Sequence, residues 1–225
     1  MQLLIDIGVI LLGYLLGSIP TGLIIVKLKT GKDIRQVESG RTGGTNAMRA
    51  AGFWAGVLTA FSDIFKGALA VWLAYWISPA NQWVHMLAPI AAILGHNYSL
   101  YLPEFDERGH FRRLRGGAGG APALGGAIGL WAPSVLILLP LGALVFFTLG
   151  YASVTTLSVA FFAILVFGIR LALGVPGANW ADVIYGVLAG VLLSWALRPN
   201  IKKLFNGTER VVNVSLHGRI KTKKE

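Results

Sequence analysis

Hydrophobic side chains fall along this chain in long runs, and polar ones are gathered into a few short stretches between them. Residues 3–26 hold a single charge, Asp6. At about 1.5 Å per residue, such a run crosses the ~30 Å hydrocarbon core of a bilayer with some tilt. Residues 52–78 form a second run, interrupted by Asp63 and Lys66, and residues 84–102 a third that encloses His85 and His96. From 119 to 197 the chain is almost wholly apolar. Pro133, the Gly150-Tyr151 junction and the Gly174–Gly177 turn divide it into 119–131, 133–149, 152–173 and 179–197. The pattern predicts seven membrane-spanning helices. The first is expected to be retained, because Lys27 follows it, whereas a signal peptide puts basic residues before a shorter apolar stretch.

Composition supports that class. Charged residues make up 13% of the chain, about half the roughly 25% of an average soluble domain. With 55% hydrophobic residues and a mean hydropathy of +0.65, an ordinary soluble globule and a disordered chain are both excluded. The absence of cysteine excludes a disulfide scaffold, thiolate zinc sites and a Cys nucleophile. The 29 glycines follow no collagen-like period and suit helices packed closely in lipid. The expected fold is an all-α integral membrane protein, a compact bundle of about seven helices. Residues 1–204 would form one polytopic domain, and 205–225 a basic cytoplasmic tail.

The net charge of +10 changes the picture through its placement. Lys27, Lys29, Lys32, Arg35, Arg41 and Arg49 form one cluster, Arg108, Arg112, Arg113 and Arg115 a second, and Arg198 through Lys224 a third, leaving only Lys66 and Arg170 elsewhere. Lys and Arg in short loops mark the cytoplasmic side. With seven spans, an outside N-terminus and a cytoplasmic C-terminus put all three clusters inside, and the outer turns at 79–83, near 132 and at 174–178 then carry no Lys or Arg. Merging 119–149 into one helix would put the basic tail outside. Charge confined to a few loops points to membrane lipid and anionic small molecules as partners, and not to nucleic acid.

Two of these loops have the composition of an anion cradle. The stretch Glu38 to Arg49 packs Gly40, Gly43 and Gly44 with Ser39, Thr42, Thr45, Asn46, Arg41 and Arg49. Glycines let backbone N–H groups converge on one anion, and hydroxyls and guanidinium add directed donors. A flexible polar loop with arginines as topology markers would also account for this composition. The second stretch, Arg112 to Gly120, puts Gly116, Gly117 and Gly119 before an apolar helix, whose start offers free N–H groups to an anion. Close helix packing beside a basic cluster is its simpler explanation. Asp63 and Lys66 share a helix face. They line a site or form a structural ion pair. His96, near the cytoplasmic end of its span, is a packing residue or part of the site. No metal-ligand spacing, Gly-x-Ser-x-Gly or His-x-x-x-x-Asp signature occurs. No cofactor and no metal ion are expected.

Gly17-Ser18-Ile19-Pro20-x-Gly22, the run Ser39-Gly40-x-x-Gly43-x-Thr45-Asn46-x-x-Arg49, Asp63-x-x-Lys66-Gly67, Gly95-His96-x-Tyr98, Gly116-Gly117-x-Gly119, Tyr151-x-Ser153 and Asn200-Ile201-Lys202-Lys203-Leu204 occur in this order. In this the chain resembles the bacterial membrane glycerol-3-phosphate acyltransferases that use acyl phosphate, the PlsY family. The resemblance implies a seven-helix enzyme of the bacterial inner membrane. It would move an acyl group from acyl phosphate to the 1-hydroxyl of glycerol 3-phosphate, giving lysophosphatidic acid and phosphate. Its implied catalytic residues are Ser39, Arg49, His96 and Asn200. Gly40, Arg41, Gly43, Thr45, Asn46, Lys66, Arg115, Gly116, Gly117, Gly119 and Ser153 are the implied substrate-binding residues. A soluble enzyme that makes acyl phosphate is the expected further partner.

Where the family typically has Asn, Lys and His, this chain has Arg41, Ala118 and Leu197, and an extra segment surrounds Glu104–Arg113. Arg41, Arg112 or Arg113 is expected to supply the missing charge, or else activity and donor choice have changed. The rival readings are an organic-phosphate transporter and a catalytically altered family member acting as a scaffold for lipid synthesis. Transporters place their sites at midplane in broken helices of repeated halves. Here no repeat is visible and the polar motifs lie in loops.

Overall fold

Proline and glycine decide where the long apolar runs break. The computed structural model describes residues 1–222, so Lys223 and Lys224 of the third basic cluster lie outside it. The run over 3–26 becomes two helices, α1 (Gln2–Ser18) and α2 (Thr21–Thr30). A residue before proline is driven out of the α region, and Ile19, ahead of Pro20, sits at φ −56° and ψ 117°. Gly31 ends α2 in the left-handed conformation, and Gly52 separates the short α3 (Gly44–Ala51) from α4 (Phe53–Ile77). Helix α5 (Gln82–Asn97) stops short of the expected residue 102. The basic segment after it is a two-stranded antiparallel hairpin, β1 (Pro103–Phe105) and β2 (Phe111–Leu114), which accommodates the extra residues. Then follow α6 (Gly120–Leu130), α7 (Val135–Leu149), α8 (Ala152–Ala172), α9 (Trp180–Phe205) and α10 (Leu216–Thr222).

All seven predicted runs are helical. Gln2–Thr30, Phe53–Ile77, Ala132–Leu149, Ala152–Ala172 and Trp180–Phe205 are long and apolar enough to cross a bilayer. Helices α5 and α6, with 16 and 11 residues, reach only about 24 and 16 Å at 1.5 Å per residue. The bundle turns large apolar side chains outward, among them Trp54, Phe61, Trp76, Leu136 and Phe161. Such a surface is stable against lipid and not against water.

Inside, glycines bring backbones together. A Cβ on Gly13 or Gly17 of α1 would overlap the backbone of Ala88 or Ala92 in α5, and one on Gly67 or Gly125 would overlap the facing backbone between α4 and α6. This is the small-residue packing that lipid, with no hydrophobic drive between helices, requires. The short α6 is thereby seated among α4, α5, α8 and α9, and the buried Tyr185 of α9 donates its hydroxyl to the Ala123 carbonyl at 2.6 Å.

Polar clusters close the end of the bundle away from the basic loops. Asp6 accepts hydrogen bonds from Gln2, Ser78 and Asn81, joining α1 to the α4–α5 turn. Arg170, with Lys66 one of the two basic residues outside the loop clusters, pairs with Asp182 at 3.1 Å and lies over the Trp131 ring. Its neutralisation explains why one arginine is tolerated there. The chain after α9 is not a free tail over its described part. Tyr151 bridges to Val211, the Gly150 carbonyl accepts the Val212 N–H at 2.8 Å, and Glu209, Val212 and Ser215 are buried.

Candidate active site

The first polar loop is pinned before it presents anything. Ile34 is fully buried with Val26 of α2 and Ala47 of α3. Asn46, 3% exposed, donates its amide to the carbonyls of Ile34, Val37 and Arg41 at 3.2, 3.0 and 2.8 Å. Expected to hold ligand, Asn46 is instead the staple that shapes the loop, since its Nδ2 is consumed by main-chain carbonyls. A Cβ on Gly22 would overlap the Thr42 carbonyl, so that glycine lets the loop rest on α2.

The two glycine-rich stretches, separated by some seventy residues, meet. Thr42 N–H donates to the Gly116 carbonyl at 3.3 Å. Arg115 donates through Nη2 to the Gly40 and Arg35 carbonyls, and its guanidinium fills the space where a Cβ on Gly40, at φ +66°, would stand. Arg41 reaches from the first loop to the Gly117 carbonyl at 3.2 Å, the Ala196 carbonyl at 2.7 Å and Asn200 Oδ1 at 3.2 Å. Pro199 contributes locally by removing a backbone donor from α9, and the Trp195 carbonyl takes Arg198 Nε instead. Arg41 is thus both a strut and a positive charge at the junction of three elements. Arg112 and Arg113 are not brought there: both are exposed on the hairpin, where Arg113 pairs with Glu104. Leu197 is buried in the bundle.

Behind the glycine turn lies a buried polar core. Asp63 Oδ1 accepts from Thr21 Oγ1 at 2.6 Å and lies 2.9 Å from Lys66 Nζ and 3.5 Å from His96 Nδ1. Lys66 Nζ also donates to the Ile19 carbonyl, freed by the break before Pro20, at 3.1 Å, and lies 3.0 Å from His96 Nδ1. An ammonium can only donate, so with Lys66 the nearer partner, at 3.0 Å against 3.5 Å for Asp63, the ring proton is assigned to Nε2. That nitrogen presses against Gly117, where a Cβ would collide with it, and the Gly117 N–H is held by the His96 carbonyl at 2.8 Å. Lys66, expected as a substrate ligand, has its ammonium against three protein partners, Asp63, the Ile19 carbonyl and His96.

A residue that sequence reasoning missed completes the wall. Glu209 accepts from Ser153 Oγ at 2.7 Å and from Asn200 Nδ2 at 3.2 Å. This links α8 to α9 and orients Asn200 toward Arg41. An acid beside a Gly-Thr pair within an otherwise basic segment was the available signal. Ser153 therefore acts at one remove from the loops. Arg49, Thr45 and Ser39 remain open. Arg49 and Thr45 make no side-chain hydrogen bond among the described residues, and Ser39 Oγ only accepts the Arg41 N–H at 3.4 Å. Burial pulls the Arg49 and Arg41 guanidinium groups down from the ordinary arginine value, with Glu209 opposing, and arginine at such positions stays charged. Beside the Arg41–Ala196 contact a groove of about 600 Å³ opens between Tyr98, Trp195, Ala196, Arg198, Pro199 and Lys202.

The sequence model of the family described as "Glycerol-3-phosphate acyltransferase" matches residues 7–207. A glycerol-3-phosphate acyltransferase of Thermus thermophilus is 37% identical over 201 residues, 89% of this chain and 92% of the relative. One of Rubrobacter xylanophilus is 35% identical over 92% of this chain and 95% of its own. The crystal structure of PlsY, an integral membrane glycerol 3-phosphate acyltransferase, in its glycerol 3-phosphate form superposes with a TM-score of 0.77 at 29% identity, covering 92% of this chain and 95% of that one. Its lysophosphatidic acid form gives 0.75 at 27% identity, covering 93% and 96%. Sequence, fold and the joined glycine loops agree: the chain belongs to the glycerol-3-phosphate acyltransferase family and is an integral membrane enzyme of that activity.

Proposed function

We propose that this chain transfers an acyl group from acyl phosphate to the 1-hydroxyl of glycerol 3-phosphate at the cytoplasmic face of a bacterial inner membrane. The observation that supports the reading is the meeting of the two glycine-rich loops through Thr42 and Gly116, Arg41 and Gly117, and Arg115 and Gly40, with Asn200 held on Arg41 and His96 Nε2 against Gly117. Both substrates are anionic and the donor carries an apolar tail. A basic, glycine-lined site at the end of a lipid-facing bundle serves both.

Acyl phosphate is already activated, so the chemistry needs positioning and charge stabilisation more than a protein nucleophile. The glycerol hydroxyl oxygen attacks the acyl carbon, the bond from that carbon to the phosphate oxygen breaks, and phosphate leaves with the electron pair. With Nδ1 facing Lys66, His96 offers Nε2–H as a donor to the developing oxyanion and is a poor general base. Among the described residues no carboxylate pairs with Nε2, so the acceptor's own phosphate takes the hydroxyl proton. Arg49, Ser39 and Thr45, with the backbone of Gly116 and Gly119, hold phosphate, while the Gly117 N–H, taken by the His96 carbonyl, fixes the turn beside it. Arg41 and Asn200 fix the loops around it.

The purified protein given labelled glycerol 3-phosphate with acyl phosphate, acyl-CoA or acyl carrier protein in turn is expected to form labelled lysophosphatidic acid with acyl phosphate alone. Equal or better turnover with either thioester overturns the donor assignment. Lysophosphatidic acid from none of the three overturns the reading.

The orientation needed is seven spans with the N-terminus outside. Thr42 is buried, so exposed Gln36 is the better reporter for the first basic loop, with exposed Gln82 for the opposite end. Single cysteines introduced there into this cysteine-free chain are expected to label from opposite sides of the membrane, Gln82 from outside. Labelling of both from one side would sink the topology.

A further inference from the structure

Asn97, the last residue of α5, has no part in the mechanism above. It is 5% exposed, and its Oδ1 and Nδ2 are both buried without a hydrogen-bond partner among the described residues. Native structures rarely leave a buried amide unmatched. This one is turned toward the start of α6: a Cβ on Gly119, the N-cap of that helix, would stand 2.8 Å from Oδ1 and 3.1 Å from Nδ2. Helix α6 has 11 residues. The first-turn N–H groups of Gly120 and Ala121 have no intrahelical acceptor, and Pro122 has no N–H at all. Ala118, in the middle of the turn, supplies no charge. The turn cannot drift from the amide, because the Gly117 N–H is held by the His96 carbonyl and Gly116 packs on the Asn97 carbonyl.

We propose that Asn97 is a further substrate-binding residue, its Nδ2 donating to a phosphate group seated at the start of α6. A directed neutral donor and the free helix N–H groups would together do what a charge at position 118 does not do here. The ligand chemistry is a phosphate monoester or an acyl phosphate. This rests on the acyltransferase reading, because it takes that phosphate to belong to one of the two substrates.

Asn97→Asp is nearly isosteric but places a carboxylate against the phosphate, while Asn97→Ser keeps a shorter donor. Near neutral pH, Asn97→Asp is expected to raise KM for one substrate by about tenfold or more, with kcat changed less, and Asn97→Ser to fall between it and wild type. A buried carboxyl titrates above its usual range, and once protonated it can donate. The ratio of variant to wild-type KM should therefore fall as pH is lowered. The substrate whose KM moves identifies whose phosphate sits there.

Unchanged KM for both substrates overturns the inference. So does a parallel loss of kcat, KM and thermal stability that pH does not relieve, which marks a packing role. Equilibrium binding of inorganic phosphate and of glycerol 3-phosphate to the same proteins separates this inference from the reading beneath it. If wild type proves inactive yet binds phosphate and Asn97→Asp weakens that binding, the Asn97 inference stands while the acyltransferase reading falls. If wild type is active and both variants bind like wild type, the reverse holds. If wild type binds neither anion, Asn97 has no such role.

Discussion

Arg49→Lys is expected to lose acyltransferase turnover by a factor on the order of 10²–10³, the usual consequence of removing one preorganised donor from a site where charge develops. Among the described residues, Arg49 is partly buried yet takes no protein acceptor, whereas Arg41 and Arg115 are tied to carbonyls and Arg35 to Asp33. A guanidinium offers two parallel hydrogen bonds to a phosphate, and lysine only a point charge. Among the described residues that fork makes no hydrogen bond or ion pair, so the variant should insert and melt with wild type. Steady-state turnover with acyl phosphate and glycerol 3-phosphate, alongside thermal unfolding, is the measurement. Near-normal turnover in Arg49→Lys or Arg49→Ala would remove Arg49 from the phosphate site.

The largest loss of stability is expected from Asp63→Ala. Asp63 is fully buried, Lys66 nearly so, and the carboxylate gathers Thr21 of α2, Lys66 of its own helix and His96 of α5. Removing one partner of a buried ion pair leaves the other charge uncompensated and costs about 3–5 kcal/mol. Lys66 retains only the Ile19 carbonyl and the His96 ring. Replacing both charges, as Asp63→Leu with Lys66→Met, removes the stranded ion and should recover most of the stability. It should not recover activity, because His96 Nδ1 then loses the donor that keeps the proton on Nε2. Midpoints of heat-induced loss of the folded protein, read beside turnover, separate the two effects. A single variant as stable as wild type would show that this cluster does not hold α2, α4 and α5 together, and an active double variant would break the link between Lys66 and His96.

The hairpin over 103–114 and the folded-back segment around Glu209 show where reading along the chain stops. Neither has a hydrophobic period. The hairpin is held by the Phe105–Phe111 contact, the Glu104–Arg113 pair and the anchoring of Arg115 on the first loop. Glu209 is buried because Ser153 and Asn200, on two different helices, converge on it. Both features depend on partners fifty or more residues away or on cross-strand pairing, which local composition does not encode.

What the sequence determined by itself was whatever follows from transfer to lipid and from short-range backbone chemistry. Long apolar runs without period-two alternation read as helices, since in hydrocarbon a helix satisfies its backbone hydrogen bonds within the segment. Pro20, Gly31 and Gly52 had to interrupt or cap them, and both glycine-rich loops were legible as places where the backbone could meet an anion. The tertiary structure decided which polar side chains were left free to do so. Asn46 and Lys66 have the right chemistry for a ligand but are consumed by carbonyls and by His96, while Arg49, a few residues away, is spared. A hydrogen-bonding group acts on a substrate only if the fold has not already given it a partner, and those partners are chosen by helix packing across the bundle.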